Sequence, residues 1–343
     1  MVKGTKRRFL LFMVCVIFIT ALSAATVSAR PSLLKIGSVT PKGSPWDNAL
    51  RQLAADWNEI TNGQVQMRIF SGGVAGEEAD VIRKMRFNSL QGAVLTTYGL
   101  NQIYPDTFAL SLPFLLASDK EFSYVFTQIE DYLRENIEKQ GFKLITWTNV
   151  GWVYIFAKEK VVAPSDLRQL KLATTDSDKA IAQALKASNF NAIPIGLSEV
   201  LTGLNSGMID ACYTVKMGAA AYQWFGIANH MTNLPMAPVL AAIVVSDRAW
   251  KRVPEQYKEE MLEAADGVAD TLAKETAELE EEAMEIMLEN GLIVHDIPPA
   301  TEKKWRSEFE DAVNMIKGET FSEEVYSRIR KYIDEYRSRY GNN

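Results

Sequence analysis

Cysteine and histidine are almost missing from this sequence. Its 343 residues contain two of each, namely Cys15, Cys212, His230 and His295. Cys15 lies in an N-terminal segment that we expect to be removed, so the mature chain would keep one thiol and could form no internal disulfide. Two histidines are too few for a zinc site built on histidine ligands. The apolar core must therefore hold the fold, and neither a metal nor another cofactor is expected.

An excess of basic residues is also absent. The formal net charge is −6, and removing residues 1–29 takes away four of the 37 Lys and Arg, which leaves 33 against 43 Asp and Glu and a net charge of −10. Phosphate binding needs a basic surface, so nucleic acid is excluded as a partner. The Gly-rich stretch Ser71–Glu78 lacks the Lys-Ser/Thr of a phosphate loop and the spacing of a dinucleotide fingerprint. It predicts a tight strand-to-helix turn, with Glu77 and Glu78 favourable at the positive helix N-terminus.

The first 29 residues have the order of a secretory signal peptide. Four basic residues between positions 3 and 8 precede an apolar run, and small residues lead to a cleavage site after Ala29. The strongly apolar part, residues 9–22, is shorter than the roughly 20 residues of a spanning helix, which disfavours a permanent anchor. A lipid anchor on Cys15 is disfavoured because no small residue stands just before it. We therefore expect export to the periplasm with cleavage near Ala29.

Strands and helices alternate after Arg30 in the predicted order β-α-β-α-β. Strand patterns occupy Leu33–Val39, Val65–Ser71 and Gly92–Thr97, and helical periodicity covers Trp46–Ile60 and Glu77–Leu90. Such an order implies parallel strands with helices on the faces of the sheet.

A second α/β unit is predicted to begin near Gly151. Its elements are strand Val153–Lys158, strand Leu170–Thr175 followed by a turn at 175–177, helix Lys179–Ala187, strand Asn191–Ile195, helix Leu197–Ser206 and strand Met208–Thr214. The apolar run Met236–Val245 is long enough to be a strand that crosses between two domains. From Pro254 to Asn290 an amphipathic helical pattern continues without proline, which predicts a helix of about 55 Å. A helix of this length either bends, for example at Gly267, or braces two lobes.

Several stretches, in order along nearly the whole mature chain, resemble the periplasmic solute-binding subunit of tripartite ATP-independent periplasmic (TRAP) transporters. The matching stretches are TPKGSPWDNALRQLAADWNEITNGQVQMRIFSGGVAGEEADVI, YPDTFALSLPFLLASDKEF, KQGFKLITWTNVGW, APSDLRQLKLATT, IPIGLSEVLTGLNSGMIDACY and SDRAWKRVPEQYKEEM. No single stretch is specific, and the resemblance depends on their order and spacing together.

The resemblance implies an α/β fold of the two-lobed periplasmic-binding-protein type, with hinge strands and a long helix bridging both lobes. Lobe I is expected at residues 30–150 and 239–278, and lobe II at 151–238 and 279–343. It also implies that the two lobes close on a small ligand, which is then delivered to a membrane permease driven by an ion gradient.

One position departs from the family pattern that the resemblance implies. In the family, the strand corresponding to LKLATT usually carries an arginine that grips the ligand's carboxylate, and here that position is Ala173. Losing one partner of a buried charge pair costs roughly 2–5 kcal/mol, or about 30-fold to several thousand-fold in affinity. Either another basic residue, such as Arg83 or Arg86, compensates, or the ligand has no carboxylate at this point.

Four residues make the cleft more apolar than the family pattern implies, namely Trp152, Ala173, Tyr213 and Met217. They predict an apolar cleft. We expect an apolar or amphipathic ligand, such as a lipid-like acid or a hydrophobic amino-acid derivative, because apolar pockets with few polar groups suit such molecules. A conventional organic acid held by a relocated basic residue is the alternative. The candidate ligand-binding residues are Trp46, Thr97, Tyr98, Trp152, Ala173, Thr174, Tyr213 and Met217.

Two other classes of protein were weighed. Cys212 and His230 are the material for a nucleophile and a base, but nothing around them resembles a nucleophile elbow or a cysteine-protease signature, so no enzyme is predicted. The second class is an interaction protein, because some similar binding proteins also work with a periplasmic tetratricopeptide-repeat lipoprotein. The absence of an arginine at position 173 fits the subgroup of binding proteins that work with such a lipoprotein.

Overall fold

The structure is a computed structural model that describes residues 31–175 and 179–341. The predicted signal peptide and the predicted turn after Thr175 lie outside these residues. The described strands are β1 (Ser32–Gly37), β2 (Val65–Phe70), β3 (Gly92–Thr96), β4 (Phe142–Ala157), β5 (Lys171–Thr175), β6 (Asn191–Ile195), β7 (Ala211–Val215), β8 (His230–Asn233), β9 (Pro238–Ser246) and β10 (Ile293–Asp296).

The described helices surround this sheet. They are α1 (Pro45–Ile60), α2 (Glu78–Arg86), α3 (Thr97–Ile103), α4 (Asp119–Lys139), α5 (Pro164–Leu167), α6 (Lys179–Ala187), α7 (Val200–Ser206), α8 (Lys216–Ala221), α9 (Asp247–Trp250), α10 (Glu255–Glu289), α11 (Pro299–Ile316) and α12 (Glu323–Tyr340). Short 3₁₀ helices occupy Pro105–Ser111, Leu197–Glu199 and Trp224–Gly226. Among the described helices, none combines the length and the apolar character that a membrane crossing requires.

The sheet has the strand order β2-β1-β3-β9-β4-β7-β5-β6, and β8 joins β10 to β4. The pairs β1–β2, β1–β3 and β5–β6 are parallel, as the alternating order of strands and helices predicts, whereas β9 runs antiparallel to both β3 and β4. We call the strands from β2 to β9, with the first part of β4, the first sheet half. The second sheet half is the last part of β4 with β5 to β8 and β10.

Strand β4 joins the two sheet halves. Its residues up to Trp152 pair with β9, and its residues from Val153 to Ala157 pair with β7. The sequence predicted a new strand beginning at Val153 and a crossing strand at Met236–Val245. In the structure the single 16-residue strand β4 passes from the first sheet half to the second at Gly151. Strand β9 lies between β3 and β4. Gly151 allows the passage because it adopts φ +118 at a register shift of the β4–β9 pair.

Helix α10 is the long helix that the sequence predicts. It has 35 residues and continues through Gly267 to Glu289, a length of about 52 Å. It packs against α1 in the first sheet half and against α8 in the second. The indole N–H of Trp57 in α1 donates to the carbonyl of Met261 in α10 at 2.8 Å. Helix α10 therefore braces both halves of the molecule.

Most other predicted elements are present with shifted ends. Helix α2 ends at Arg86, not at Leu90, and Asn88 just beyond it adopts φ +59, which a continuing helix does not allow. The predicted helix Leu197–Ser206 starts as a 3₁₀ turn and continues as α7. The predicted strand at Met208–Thr214 begins three residues later, at Ala211.

Candidate functional site

A cavity of about 340 Å³ lies where the two sheet halves meet. Residues of β3, β9 and β4 line it on one side, and residues of β7 and β5 on the other. Helices α1 and α10 close one end, and helices α6 and α11 close the other. The volume is at the small end of the roughly 300–1,000 Å³ that is usual for ligand pockets.

The lining of this cavity is almost entirely apolar. Among the described lining residues there is no Arg, Lys or His, and the charged side chains are Glu77 and Glu78. A carboxylate ligand would therefore find no cationic partner among these residues.

Six of the eight predicted site residues line the cavity, and two do not. The six are Trp46, Thr97, Tyr98, Ala173, Thr174 and Tyr213. Trp152 and Met217 are buried elsewhere, with 9% and 3% of their surface exposed. Ligand contact by any of the eight stays a prediction.

Trp152 is turned away by the irregularity at Gly151. Before the register shift Thr148 and Val150 face the cavity, and after it Val153 and Ile155 do. A regular strand would have kept Trp152 on the face of Val150, but the inserted residue reverses the alternation. The Trp152 indole N–H instead donates to the Asp119 carboxylate at 2.7 Å.

Met217 is displaced by the rotation of helix α8. Gly218 in this helix and Tyr222 just beyond it line the cavity, and residues four apart share one helix face. Met217 lies about 100° around the helix from Gly218, so its side chain is buried on another side.

Ala173 lies beside a chain of hydroxyl groups. The Tyr98 hydroxyl donates to the Tyr213 hydroxyl at 3.2 Å, and the Tyr213 and Thr174 hydroxyls are 3.3 Å apart. Tyr98 belongs to α3, whereas Tyr213 and Thr174 belong to β7 and β5. Neutral hydrogen-bonding groups therefore occupy the wall next to the position where an arginine was expected.

Thr97 has a structural role at the cavity wall. Its hydroxyl donates to the Leu240 carbonyl at 3.1 Å, accepts from the Leu240 backbone N–H at 3.3 Å, and lies 2.8 Å from the Ser111 hydroxyl. These contacts tie α3 to β9 and occupy most of the hydroxyl's hydrogen-bonding capacity.

Two indole groups in the wall have no hydrogen-bond partner among the described residues. They are the Nε1–H groups of Trp46 and Trp147. Both nitrogens are buried with almost no accessible surface, so they face surrounding protein atoms and not the open cavity, and leaving them unpaired costs free energy. Trp147 was not among the predicted site residues, because its place beside the first register shift of β4 is not visible in the sequence.

Glu77 connects the two sheet halves. It is the N-cap residue of α2, and its carboxylate accepts hydrogen bonds from the backbone N–H groups of Leu197 at 3.2 Å and Ser198 at 3.0 Å. The Ser198 hydroxyl donates to the same carboxylate. Nearby, the Tyr222 hydroxyl donates to the Val39 carbonyl at 2.9 Å, again across the two halves. The sequence pattern indicates only a position for Glu77 at the start of its own helix.

Glu78 faces the other way, into the first sheet half. Its carboxylate accepts from the Thr96 backbone N–H at 2.7 Å and the Thr96 hydroxyl at 2.9 Å, and also from the Gly99 backbone N–H. Loss of hydration raises the pKa of Glu78 to about 7, against the effect of these hydrogen bonds, and the neighbouring charge of Glu77 adds to the rise.

The basic residues proposed as substitutes for the missing arginine lie outside the cavity. Arg83 pairs with Asp80 at 2.7 Å with 65% of its side chain exposed, and Arg86 is exposed at the end of α2. Neither lines the cavity.

Cys212 and His230, the possible nucleophile and base, lie in different environments. Cys212 is 1% exposed, and loss of hydration raises the pKa of its thiol to about 12, so it carries no thiolate near neutral pH. His230 Nδ1 lies 2.8 Å from His295 Nε2, with the two rings stacked. In the described part of the chain, no cluster of three or more His, Cys, Asp or Glu side chains is placed to hold a metal ion.

The sequence matches a known protein family over most of its length. The profile of the family described as "Bacterial extracellular solute-binding protein, family 7" covers residues 36–319. The 2,3-diketo-L-gulonate-binding periplasmic protein YiaO of Escherichia coli is 23% identical over 327 residues, which is 93% of this chain and 97% of that protein. A solute-binding protein of Chromohalobacter salexigens is 23% identical over 76% of this chain and 78% of its own length.

Solved structures share the fold at low identity. The sugar acid binding protein DctPAm of Advenella mimigardefordensis, in complex with galactonate, has a TM-score of 0.82 at 16% identity, covering 89% of this chain and 99% of that one. A TRAP periplasmic solute-binding protein of Sulfurospirillum deleyianum with bound succinate has a TM-score of 0.80 at 18% identity, covering 87% and 98%. These likenesses show a two-lobed α/β periplasmic-binding fold.

Proposed function

Because this chain belongs to the bacterial extracellular solute-binding protein family 7, the periplasmic solute-binding proteins of TRAP transporters, we propose that it captures a small apolar or amphipathic ligand. The family consists of transport proteins, which confirms the prediction that the chain is not an enzyme. The proposed site is the cavity between the two sheet halves.

The observation that carries the proposal is the absence of a cation from the described cavity lining, together with Ala173 in its wall. Two of the similar solved structures hold an acid, galactonate in one and succinate in the other. An acid in this cavity would lose its hydration without gaining a charged partner, whereas an apolar molecule would gain from burial at about 25 cal/mol per Å². We therefore propose that this chain belongs to a subgroup lacking the carboxylate-binding arginine.

The proposed mechanism is reversible capture by closure. The ligand enters an open form, contacts residues from both sheet halves, and favours the closed form through its higher affinity for that form. In the closed form the Tyr98–Tyr213 and Tyr222–Val39 hydrogen bonds join the halves around the ligand. We propose the same lobe boundaries as from the sequence. Lobe I comprises residues 30–150 and 239–278, and lobe II comprises residues 151–238 and 279–343.

A binding screen tests this function directly. The mature protein is isolated without refolding, co-purified ligands are identified by mass spectrometry, and thermal shifts are measured with succinate, galactonate, sialic acid and a set of uncharged apolar compounds. We expect stabilisation by the apolar compounds alone. Strong stabilisation by the acids with none by the apolar set would overturn the proposal and favour a relocated basic residue.

Ala173→Arg tests the same point by restoring a cation. We expect this variant to bind a uronate or short dicarboxylate at least about 30-fold more tightly than the parent, which is the lower end of the worth of a buried charge pair. Ala173→Leu is the matched control, because it adds volume at the same place without charge and should gain no acid binding. Equal acid binding by all three proteins would contradict the assignment of this position.

The proposed partner after capture is the membrane permease of a TRAP transporter. A periplasmic tetratricopeptide-repeat lipoprotein is the alternative partner that the resemblance implies. Pull-down from an envelope extract distinguishes them: capture of a repeat protein supports the second partner, and capture of the permease alone favours a simple shuttle. Detection of the mature N-terminus at Arg30 in the periplasmic fraction would support the predicted cleavage near Ala29.

A further inference from the structure

The chain passes between the two proposed lobes at three places, and all three lie beside Gly151. Strand β4 crosses at Gly151 itself. The second crossing follows Pro238, and the next residue, Val239, pairs directly with Gly151 in the β4–β9 register. The third crossing is in α10 between residues 278 and 279, just before Glu280. An added Cβ on Gly151 would lie 2.5 Å from Glu280 Oε1, so this carboxyl group packs against the backbone where the crossings meet.

The carboxyl group of Glu280 is enclosed and only partly satisfied. The backbone N–H of Lys216, the first residue of α8, stabilises its charged form as a hydrogen-bond donor. The Oε1 atom of Glu280 is buried and has no hydrogen-bond partner among the described residues. Burying a carboxylate oxygen without a donor costs free energy, and a proton on the group lowers that cost. Glu280 therefore connects α10 with the start of α8 and with the crossing of β4, at an energetic cost that depends on its protonation.

Three ionisable side chains face Glu280 from the elements packed around it. Lys216 in α8 favours the charged carboxylate, and Asp119 at the start of α4 opposes it. Tyr154 in β4 is the third, and the Lys216 ammonium group lies 4.8 Å from the centre of its ring. Loss of hydration outweighs the favourable effect of Lys216 and raises the pKa of Glu280 to about 7. In this form of the protein the group is therefore partly protonated at neutral pH.

Building on the proposed capture by closure, though not on the proposed class of ligand, we infer that Glu280 is a proton-binding site at the hinge: the protein closes more readily when Glu280 carries a proton. Hinge motions are absorbed by a few residues, here the three crossings beside Gly151. Opening moves the elements around Glu280 apart and admits water to its carboxyl group, which then ionises. The proton and the ligand therefore favour the same closed form, and each increases the affinity of the protein for the other.

The direction of the effect follows from proton linkage. The pKa of Glu280 is about 7 in the closed form and returns towards its ordinary value of 4.5 when water reaches it. The closed form is therefore favoured at low pH, and this preference is lost as the pH rises through 7. Complete hydration on opening would change the ratio of open to closed forms by about 25-fold between pH 5.5 and 8, and partial hydration by about 3-fold.

Distance measurements between two spin labels test this inference on the mature chain. The labels are attached at Glu59→Cys in α1 and Lys186→Cys in α6, which are exposed on different sheet halves, in a Cys212→Ala background. Double electron–electron resonance without added ligand separates molecules with the interlabel distance of the closed form from molecules with another distance. From pH 5.5 to 8 we expect the ratio of open to closed forms to increase by about 3- to 25-fold.

Variants assign the effect to one carboxyl group. Glu280→Gln keeps the shape of the protonated side chain and cannot ionise, so it should stay closed over the whole pH range. Glu282→Gln, exposed on the same helix, is the matched control and should behave as the parent. Glu78 is unchanged in all these proteins, so its own titration cancels in the comparison. Melting temperatures check that each variant folds, and Glu280→Met, uncharged and of similar length, replaces the glutamine variant if that one does not.

The outcomes distinguish this inference from the proposed ligand class. Equal pH dependence in the parent and in Glu280→Gln would overturn the inference, and so would a single distance population at every pH in both proteins. An open form that increases as the pH falls would contradict the sign of the linkage. The thermal-shift screen is independent of these results: stabilisation by the acids alone would overturn the apolar ligand and leave the hinge result standing.

Discussion

At the scale of single residues, adjacent carboxylates on α2 behave differently because of what surrounds them. Glu77 reaches across to Leu197 and Ser198, at the start of a helical segment whose N–H groups favour a negative charge. Glu78 turns into the cavity wall, where loss of hydration raises its pKa to about 7. Two identical side chains, adjacent in sequence, therefore lie in different surroundings.

The raised pKa of Glu78 predicts a pH-dependent stability. A carboxyl whose pKa rises from 4.5 to about 7 on folding binds protons more readily in the folded state. Its contribution to the free energy of unfolding is therefore largest below about pH 4.5 and declines as the pH rises through 7. We expect Glu78→Gln to remove a decline on the order of 3 kcal/mol, measured by urea unfolding between pH 4.5 and 8.

Glu280 provides a comparison for the pH-dependent unfolding of Glu78→Gln. Loss of hydration raises its pKa to about 7 as well, opposed by the nearby charge of Lys216, so the parent protein has two groups titrating in one window. Glu280→Gln should flatten the profile by a similar amount, and the double variant should flatten it further. Identical slopes in the parent and in Glu78→Gln would contradict the environment described for Glu78.

At the scale of elements, the contact between α2 and the helical segment at Leu197 joins the two sheet halves through the protein's own hydrogen bonds. If a bound carboxylate does not join the two sheet halves, the Glu77 carboxylate does so from the protein itself. Gly73 in the Gly-rich turn lies beside Ser198 and adopts φ +72, a backbone conformation that favours glycine. The turn thus fits two elements together and needs no phosphate.

Removing this charge should favour the open form. Glu77→Gln keeps the shape of the side chain but replaces charge-assisted hydrogen bonds by neutral ones, which are roughly half as strong. We expect a larger radius of gyration by small-angle scattering without ligand and an apparent ligand affinity about 5- to 10-fold lower, because the closed form is less populated.

Glu199→Gln is the matched control for Glu77→Gln. Glu199 is exposed on the same 3₁₀ turn that Glu77 contacts, so its loss removes one negative charge nearby and leaves the link intact. Its scattering and affinity should equal those of the parent. If both variants expand equally, net charge and not the Glu77 link controls closure.

At the scale of the whole molecule, one strand and one helix connect the two halves. Strand β4 passes from pairing with β9 to pairing with β7 at Gly151, and α10 lies against both α1 and α8. Gly151 is confined by Glu280, because an added Cβ would lie 2.5 Å from the Glu280 Oε1 atom. Strand β4 therefore crosses between the halves at a position with little free space and a backbone angle that favours glycine.

Gly151→Ala should impair both stability and closure. An alanine at φ +118 is strained, at a cost of about 1–3 kcal/mol, and its Cβ would also displace the Glu280 carboxylate. We expect a lower free energy of unfolding and a changed ligand-dependent compaction in scattering. Gly267→Ala, inside α10 with open space around it, is the control and should be neutral or slightly stabilising. A fully stable Gly151→Ala variant with normal compaction would contradict this role.

The candidate site could be predicted only in part from the sequence. Ala173, Thr174 and Tyr213 lie on short strands, and the resemblance alone placed these strands at the cavity. Trp152 was misplaced because β4 shifts register at Gly151, and Met217 because a helix presents only one face to the cavity. The link made by Glu77 depends on residues 120 positions away and leaves no local signal.

The sequence by itself determined the class of protein, the alternation of strands and helices, and the absence of an arginine at position 173. These depend on residue identity and on short-range periodicity, which a linear chain displays directly. Only the tertiary structure decided that β4 is a single crossing strand, that Trp46 and Trp147 carry unpaired donors in the cavity wall, and that Glu77 joins the two halves. The physical reason is that register shifts, burial and hydrogen bonds between distant residues arise from packing, which is settled only when the whole chain has folded.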